Sequence, residues 1–237
     1  MDIRLIIRKH GWFVAKFEGT AYLPSFAYTI GLLESFQHSE LIVFGLDLNV
    51  LHGIINHVGS YIRDHGPLIS KQRYSNFIES HKVQFVDIDS RNIKDYFGYA
   101  MSYYDTDNIR AMQLVWPDSQ GRFPWETKFD EGLLLRQPLL DRNANFKFRE
   151  PRNLGVYTTA AWVEEIEPIT HVYHDENGDW QFITRTSVET EAKLVSLQSI
   201  VDRDPTVNSV FNLEYGEQAV RERVGGQWRR TRMESDE

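Results

Sequence analysis

The ten residues 173–182, YHDENGDWQF, contain the acidic spacing that opens a calcium-binding loop. Acidic and amide side chains alternate from Asp175 onward, and their oxygens are the hard ligands that Ca²⁺ prefers. An EF-hand loop counted from Asp175 also needs Gly at position 6 and Glu at position 12. The chain has its glycine at position 4, as Gly178, and Thr186 at position 12. The calcium interpretation therefore fails both requirements.

The same stretch carries a strong hairpin signal. Asn177-Gly178 lies between THVYHD and DWQFIT, two runs that are typical of strands. The sequence therefore predicts a β-hairpin with an exposed, negatively charged tip. This acidic tip consists of Asp175, Glu176 and Asp179. Trp180 follows directly, and an aromatic residue beside an exposed acidic patch suits protein recognition, although a core position for Trp180 is the open alternative.

The histidines offer no metal-binding motif. His52 and His57 are five residues apart, so on a helix they miss the i, i+4 facing of a two-histidine zinc site. His171 and His174 are three apart, which places them on opposite faces of a strand. The absence of cysteine removes thiolate ligands, thiolate nucleophiles and disulfides together. We therefore predict no metal, and only a metal site assembled from distant residues stays open.

Signatures of catalysis are also missing. The chain has no Gly-x-Ser-x-Gly motif, no phosphate loop ending in Gly-Lys-Ser/Thr and no Gly-x-Gly-x-x-Gly after a strand. Carboxylates are plentiful, but a single sequence does not say which two converge, so a glycosidase-like pair has no support. We therefore expect a protein that is not an enzyme, with no catalytic residue and no cofactor.

One stretch leaves a ligand pocket open as an alternative. In PSFAYTIGLLESFQHSELIVFGL (24–46), an aromatic strand ends at Gly31 and a polar loop leads to a buried strand. Some flavin-binding barrels line their cofactor with a comparable strand–loop–strand. A nucleotide or flavin pocket behind Phe26–Gly31 is therefore the alternative function. The plainer interpretation is a core β-meander in which Phe26 and Tyr28 alternate across Ala27.

Composition and charge restrict the class of protein. At 237 residues, with 41% hydrophobic and 13% aromatic content, the chain can bury one large core or two modest ones. No apolar run approaches the ~18 residues that span a bilayer, and the N-terminus lacks a signal-peptide cleavage site, so a cytoplasmic location is expected. The formal net charge is −8.

The negative charge is concentrated in the second part of the chain. Residues 1–142 hold 15 Lys and Arg against 17 Asp and Glu, whereas residues 143–237 hold 11 against 17. Phosphate contacts need Lys and Arg, so this balance works against nucleic-acid binding. It favours a basic protein partner through electrostatic steering, with ordinary solubility as the alternative.

The first part of the chain mixes strand-like and helical segments. ELIVFGL (40–46) is a continuous apolar run, as in a central strand. After Asp47, a typical N-cap, apolar residues recur every three or four positions up to Gly66, which predicts a helix. Ser90 is expected to cap a short helix over 90–98. The other predicted strands of this part are 3–10, 12–18, 25–32, 82–89 and 109–117.

A polar stretch at 141–153 interrupts this pattern, and we place a domain boundary there, between domains 1–142 and 143–237. The second part continues with the segments 155–165, 169–175 and 179–184, a short helix within 196–205, a closing segment over 217–231 and a solvated MESDE tail. Strands and helices mix without strict βαβ alternation. The predicted fold class is α+β, with two mixed α+β domains that each have a largely antiparallel sheet and packed helices.

Three stretches of the first part resemble a known family. They are HGWFVAKFEG (10–19), PSFAYTIGLLESFQHSELIVFGL (24–46) and AMQLVWPDSQGRFPWETKF (111–129). Together they look like the bacterial domain of unknown function 4262 family over about residues 10–140. The resemblance implies a compact α+β domain and no settled activity.

The second part is similar to a different family. VYHDENGDWQF (172–182), the segment 194–222 and GGQW (225–228) resemble a polymorphic-toxin immunity protein family, like domain of unknown function 2185, over about residues 154–230. Immunity proteins of this kind are encoded beside toxins and neutralise them by binding. The resemblance supplies no catalytic residue.

These observations predict a cognate immunity protein that covers the catalytic domain of a secreted toxin. An acidic surface fits a toxin with a basic active-site cleft, and no nucleic acid or membrane is expected as a partner. The predicted partner-binding residues are Asp175, Glu176, Asp179 and Trp180, with Glu164, Glu165 and Glu167 as a second acidic patch. The alternatives are the nucleotide or flavin binder and an interaction module of a larger assembly.

Overall fold

A computed structural model describes residues 2–186 and 192–233, so the predicted tail lies, except for Met233, outside the described residues. The chain divides into two compact units. Unit 1 comprises Met1–Thr20 and Pro24–Ala144, and unit 2 comprises Ala21–Leu23 and Asn145–Glu237. The α+β class in two parts is confirmed, because each unit combines helices with a mixed sheet.

Unit 1 contains five α-helices and six strands within its described residues. The helices are α1 (Ile3–His10), α2 (Leu32–Phe36), α3 (Leu48–His65), α4 (Ile93–Tyr96) and α5 (Gly98–Tyr104). The strands are β1 (Phe13–Phe17), β2 (Phe26–Ile30), β3 (Glu40–Phe44), β4 (Arg73–Ile78), β5 (His81–Asp87) and β6 (Ala111–Val115). Short 3₁₀ turns at Ser90–Asn92 and Glu131–Leu135 complete the unit.

The sheet of unit 1 has the strand order β1-β2-β3-β6-β5-β4, and only the β3–β6 pair is parallel. Alternating side chains of its strands enter two cores. Ala27 of β2 packs in the cluster that contains the buried face of α3. Tyr28 packs in the opposite cluster, with side chains of α1, α4 and α5. The sheet is therefore covered on both faces, and the predicted alternation of Phe26 and Tyr28 across Ala27 is confirmed.

The prediction of a strand over residues 3–10 is wrong. These residues form α1, because both helix ends carry the appropriate capping residues. Asp2 accepts the Arg4 backbone N–H at 2.9 Å. Gly11, at φ 92°, donates its N–H to the Ile7 carbonyl at 2.7 Å. The isoleucines suggested a strand, but the helix needs only one apolar stripe, and only Ile7 is fully buried.

Other expectations for unit 1 are confirmed or adjusted. The Asp47 side chain caps α3 by accepting the N–H groups of Asn49 and Val50, and the helix ends at His65 before Gly66. The helical segment after β5 is capped by Asp89 rather than by Ser90. Strand β4 and helix α5 were not predicted. Strand β4 is mostly exposed and carries a register shift, so its sequence shows no clear alternation.

A buried carboxylate organises the turn between β2 and α2. Glu40 is fully buried and accepts the hydroxyls of Thr29 and Tyr104 at 2.5 Å. It also accepts the backbone N–H groups of Gly31 and Leu33, each at 3.0 Å. Burial raises the pKa of the Glu40 carboxyl, whereas these four donors favour its charged form. The carboxylate therefore joins three segments that are distant in sequence.

Unit 2 is built from shorter elements. Its helices are α6 (Ala160–Val163) and α7 (Leu197–Arg203), followed by a 3₁₀ segment at Pro205–Val210. Its described strands are β7 (Gly155–Thr159), β8 (His171–His174), β9 (Trp180–Ile183), β10 (Ala192–Ser196), β11 (Glu217–Val220) and β12 (Arg229–Arg232). They pair in the order β10-β7-β9-β8-β11-β12, and only the β7–β9 pair is parallel.

One face of the unit 2 sheet is buried, and the other is partly open. A row of paired residues across four strands is buried, namely Thr158, Phe182, Val172 and Ala219. The adjacent row of paired residues, Tyr157, Gln181, Tyr173 and Gln218, is partly or largely exposed. This period-2 pattern is the reason the hairpin strands β8 and β9 could be predicted from sequence, whereas β10 was not predicted.

Two glycines of α3 give a matched stability test. A methyl group at Gly59 would lie 2.6 Å from the Trp12 ring, whereas one at Gly53 meets nothing within 4 Å. We expect Gly59→Ala to lower the free energy of unfolding by about 1–3 kcal/mol through overpacking. Gly53→Ala should raise it by about 0.5–1 kcal/mol through helix propensity. Denaturant unfolding of both variants measures this, and equal effects would contradict the close Trp12 packing.

His38 makes the stability of unit 1 depend on pH. Its Nδ1 donates to the Ser39 carbonyl at 2.6 Å and its Nε2 accepts the Leu68 N–H at 3.1 Å, which requires the neutral ring. Burial, with a smaller contribution from the charge of Arg110, lowers the pKa of His38 from its ordinary 6.5. The unfolded state therefore binds more protons below pH 6.5, and the stability that His38 contributes is lost as the pH falls toward the lower folded-state pKa.

The corresponding experiment is chemical unfolding between pH 7.5 and pH 5. We expect His38→Gln to flatten the pH dependence of the unfolding free energy relative to wild type. An unchanged slope in the His38 variant would contradict the neutral-ring assignment.

Candidate functional site

The predicted hairpin is confirmed. Strands β8 and β9 pair antiparallel, and His174 lies opposite Trp180. Gly178, at φ 89°, donates its N–H to the Asp175 carbonyl at 3.1 Å. The Asp175 carboxylate accepts the N–H groups of Asn177 and Asp179, both at 2.9 Å. One member of the acidic tip is thus occupied in forming the turn itself, which is a typical Asx arrangement.

Trp180 lies in the core of unit 2 with 1% of its surface exposed. Its indole N–H donates to Glu150 at 2.9 Å, and its ring stacks on His174 with centroids 4.0 Å apart. Tyr22, from the short segment that belongs to unit 2, donates to the same carboxylate at 3.0 Å. Trp180 is therefore a core residue, which corrects the expectation that it lies exposed beside the acidic tip. Its position on the buried face of β9 is the physical reason.

The second acidic patch lies in the segment between α6 and β8. Glu164 and Glu165 are exposed, and Glu165 has a left-handed backbone at φ 62°. Glu167 accepts the backbone N–H of Thr186 at 3.2 Å and its hydroxyl at 2.5 Å. These bonds to Thr186 lower the pKa of the Glu167 carboxyl. The carboxylates of Glu164 and Glu165 thus face solvent, while the Glu167 carboxylate links the segment to Thr186 through hydrogen bonds.

Exposed aliphatic side chains accompany these carboxylates. Val163 is 41% exposed and Ile166 is 67% exposed. Ile166, Pro168 and Val224, the last 49% exposed, line a groove of about 380 Å³ together with Glu165. We call this the unit 2 groove. Sequence reasoning selected the acidic residues but missed the aliphatic ones, although an isolated Ile within the run Glu-Glu-Ile-Glu was the available signal.

The loop that carries the groove is held by Arg203 of α7. The Arg203 guanidinium lies 3.8 Å from the centroid of the Trp162 ring and donates to the Trp162 carbonyl at 2.5 Å. The Ile166 backbone N–H donates to the Ala161 carbonyl at 2.8 Å. A preformed loop loses less conformational entropy on binding than a loop that must become ordered. The segment therefore presents its exposed side chains from a fixed backbone.

A buried arginine holds two residues that line the same groove. Arg221 is 1% exposed, and its Nε and Nη2 both donate to the Ile169 carbonyl, at 3.0 and 2.9 Å. Its guanidinium also forms an ion pair with Asp204 and donates to the Thr206 hydroxyl at 2.5 Å. Ile169 and Asp204 are themselves lining residues of the unit 2 groove. The groove wall is thus connected to the core of unit 2 through one charged side chain.

The two acidic patches lie at opposite ends of one hairpin. The acidic tip follows the last residue of β8, whereas the 164–167 segment precedes its first residue. A four-residue strand alone spans about 13 Å. The structure therefore does not bring the predicted partner-binding residues together, and only the 164–167 patch adjoins exposed aliphatic side chains at a groove.

Comparison with known families decides what unit 1 is. The family model described as domain of unknown function (DUF4262) matches residues 6–130, more than half of the chain. The chain belongs to the DUF4262 family. The predicted resemblance of the first part is thereby confirmed, and the matched residues lie in the range of unit 1 and include Ala21–Leu23. No curated protein and no solved structure matches the chain significantly.

Other expectations concern metals, membranes and the ligand pocket. Within residues 2–186 and 192–233, no group of three or more His, Asp or Glu side chains is placed to hold a metal ion. Among these residues, no helix has the length and apolar character needed to cross a bilayer. None of the residues Phe26–Gly31 of this DUF4262 chain lines the unit 2 groove, nor a groove of about 910 Å³ in unit 1 between Trp12 and α3.

The capping role of Asp175 gives a direct test of the hairpin. We expect Asp175→Ala to lower the free energy of unfolding by about 1 kcal/mol, because two turn N–H groups lose their acceptor. Asp175→Asn should retain most of that stability, since its amide oxygen still accepts. Glu176→Ala, at the exposed tip, is the matched control and should change stability little. Equal losses in Asp175→Ala and Glu176→Ala on thermal unfolding would contradict the assignment.

Proposed function

We propose that this DUF4262 protein is an immunity protein that neutralises a cognate secreted bacterial toxin by covering its catalytic domain. Its action in the cytoplasm, without turnover of a substrate, is part of the proposal. The observation that carries it is the unit 2 groove, where Ile166 and Val224 are exposed beside the exposed carboxylates of Glu164 and Glu165, the second of which pairs with Arg203 at 3.7 Å. Large exposed aliphatic side chains beside charge are typical of protein-recognition surfaces.

The chemistry of the groove specifies the kind of partner. Exposed aliphatic side chains next to the carboxylates of Glu164 and Glu165 fit a basic protein surface whose Lys or Arg side chains carry apolar stems. A cleft that binds nucleic acid or nucleotides has such a surface because it must hold phosphates. Complementary charge speeds association, while burial of Ile166 and Val224 would slow dissociation.

The rigidity of the groove supports inhibition by occlusion. The loop is held by Arg203 from one side and by Arg221 through the Ile169 carbonyl from the other. A fixed surface of this kind can bind without ordering its own backbone, which favours high affinity for a small contact area. The acidic tip at the other end of β8 is then a secondary contact that contributes mainly to steering.

The decisive experiment co-expresses the full chain with the toxin domain encoded beside it and measures growth rescue and the affinity of the complex. We expect Ile166→Asp to weaken binding by about thirtyfold, since truncation of an interface anchor costs about 2 kcal/mol or more. Ile69→Asp is the matched control, because Ile69 is a similarly exposed isoleucine in unit 1, at 62% against 67%.

Charge variants separate the groove from the acidic tip. Glu164→Gln with Glu165→Gln should slow association at low salt more than Asp175→Asn, Glu176→Gln and Asp179→Asn combined. If the tip substitutions slow association more than the Glu164 and Glu165 substitutions, the interface lies at the hairpin. Rescue that survives both sets of substitutions and Ile166→Asp would contradict occlusion by unit 2 altogether.

A further inference from the structure

Unit 1 contains a larger groove of about 910 Å³ that the proposed function does not use. One wall is the edge strand β1 together with the residue before it, where Trp12, Val14 and Lys16 lie at alternate positions and so on one face. The other wall is one flank of α3. Its lining residues recur at near-helical spacing and are His52, Asn56, Ser60 and Arg63. We call this space the unit 1 groove.

The wall of this groove is preorganised by a chain of hydrogen bonds. The Trp12 indole N–H donates to Asn56 Oδ1 at 2.9 Å, which fixes the orientation of the amide. Asn56 Nδ2 therefore faces His52 and donates to its Nε2 at 3.1 Å and to its carbonyl at 2.9 Å. The ring of His52 must then accept at Nε2 and carry its proton on Nδ1. The close contact of Trp12 with Gly59 holds the first member of the chain in place.

The charge of the groove has one sign. Its lining includes the positive side chains of Lys9, Lys16 and Arg63, and no Asp or Glu lines it in the part of the chain that the structure describes. Arg63 pairs with Asp64 at 2.8 Å, but neither lysine forms an ion pair with another described residue. Burial, together with the positive charge of Lys16, lowers the pKa of His52. Free lysines near an open groove attract anions.

The remaining lining supplies apolar and neutral polar contacts. Phe36 lies 6.2 Å from Trp12 between ring centroids, and both line the groove with Phe13 and Val14. The amide of Asn56 and the hydroxyl of Ser60 lie on the α3 wall. A groove of this volume, with an apolar side and a few polar groups, is of the size that holds a small organic ligand.

We propose that the unit 1 groove binds a nucleoside phosphate, with the phosphates at Lys9 and Lys16 and the base against the aromatic side. Lysine ammonium groups act as point charges for phosphate oxygens. The Nδ1–H of His52 and the hydroxyl of Ser60 on the α3 wall suit the sugar hydroxyls, since the Asn56 amide is already occupied by Trp12 and His52. This site differs from the pocket that the sequence suggested behind Phe26–Gly31, since none of those residues lines it. The proposal concerns unit 1 and is independent of toxin binding by unit 2.

Isothermal titration calorimetry of the full chain tests the site with ATP, AMP, adenosine and inorganic phosphate as probes. We expect ATP to bind more tightly than AMP, and both more tightly than adenosine or phosphate alone. Lys9→Gln and Lys16→Gln should each weaken ATP binding by about tenfold, the equivalent of one charged hydrogen bond. Lys82→Gln removes the same charge from an exposed position of β5, outside the groove, and should leave the affinity unchanged.

Several outcomes would overturn the proposal. One is the absence of nucleotide binding at about 1 mM ligand, the weak end of the affinity scale. A second is an equal loss of ATP affinity in Lys16→Gln and Lys82→Gln, which would mean that only the net charge matters. A third is equal affinity for ATP and inorganic phosphate, which would remove the role of the aromatic side.

Discussion

A buried charged side chain that gathers backbone groups is the interaction on which each unit depends. In unit 1, the Glu40 carboxylate accepts the N–H groups of Gly31 and Leu33, and the turn that it fixes begins α2. Phe36 of that helix packs beside Trp12 in the wall of the unit 1 groove. A buried carboxylate is tolerated only when donors surround it, so the hydroxyls and N–H groups around Glu40 must stay in place together.

Unit 2 uses the opposite charge for the same purpose. Arg221 binds the Ile169 carbonyl twice and pairs with Asp204, and both of these residues line the unit 2 groove. An arginine guanidinium has five donors in a rigid fork, so one side chain can join several segments that lack regular secondary structure. The shorter strands of unit 2 make such a fixed point more important, because they contribute few ladder hydrogen bonds.

The two grooves differ in charge. The unit 1 groove lies between an edge strand and a long helix and is lined by Lys9 and Lys16, whereas the unit 2 groove lies under a short loop with Glu164 and Glu165 nearby. A protein of net charge −8 can thus still offer a locally basic site. Average charge therefore describes solubility and steering, while the recognition chemistry is set by which side chains share a groove.

By itself, the sequence determined the α+β class, the capped helix α3, the hairpin at Asn177-Gly178 and the membership of the DUF4262 family, because each depends on local periodicity, capping or motif order. The strand predicted for the Ile-rich residues 3–10 is wrong, because the capping residues Asp2 and Gly11 outweighed the strand propensity of isoleucine. Only the tertiary structure decided that Trp180 is buried and that the acidic patches lie apart. Exposure and separation are long-range properties, fixed when the strands pair and one sheet face is covered, and no stretch of sequence carries that information alone.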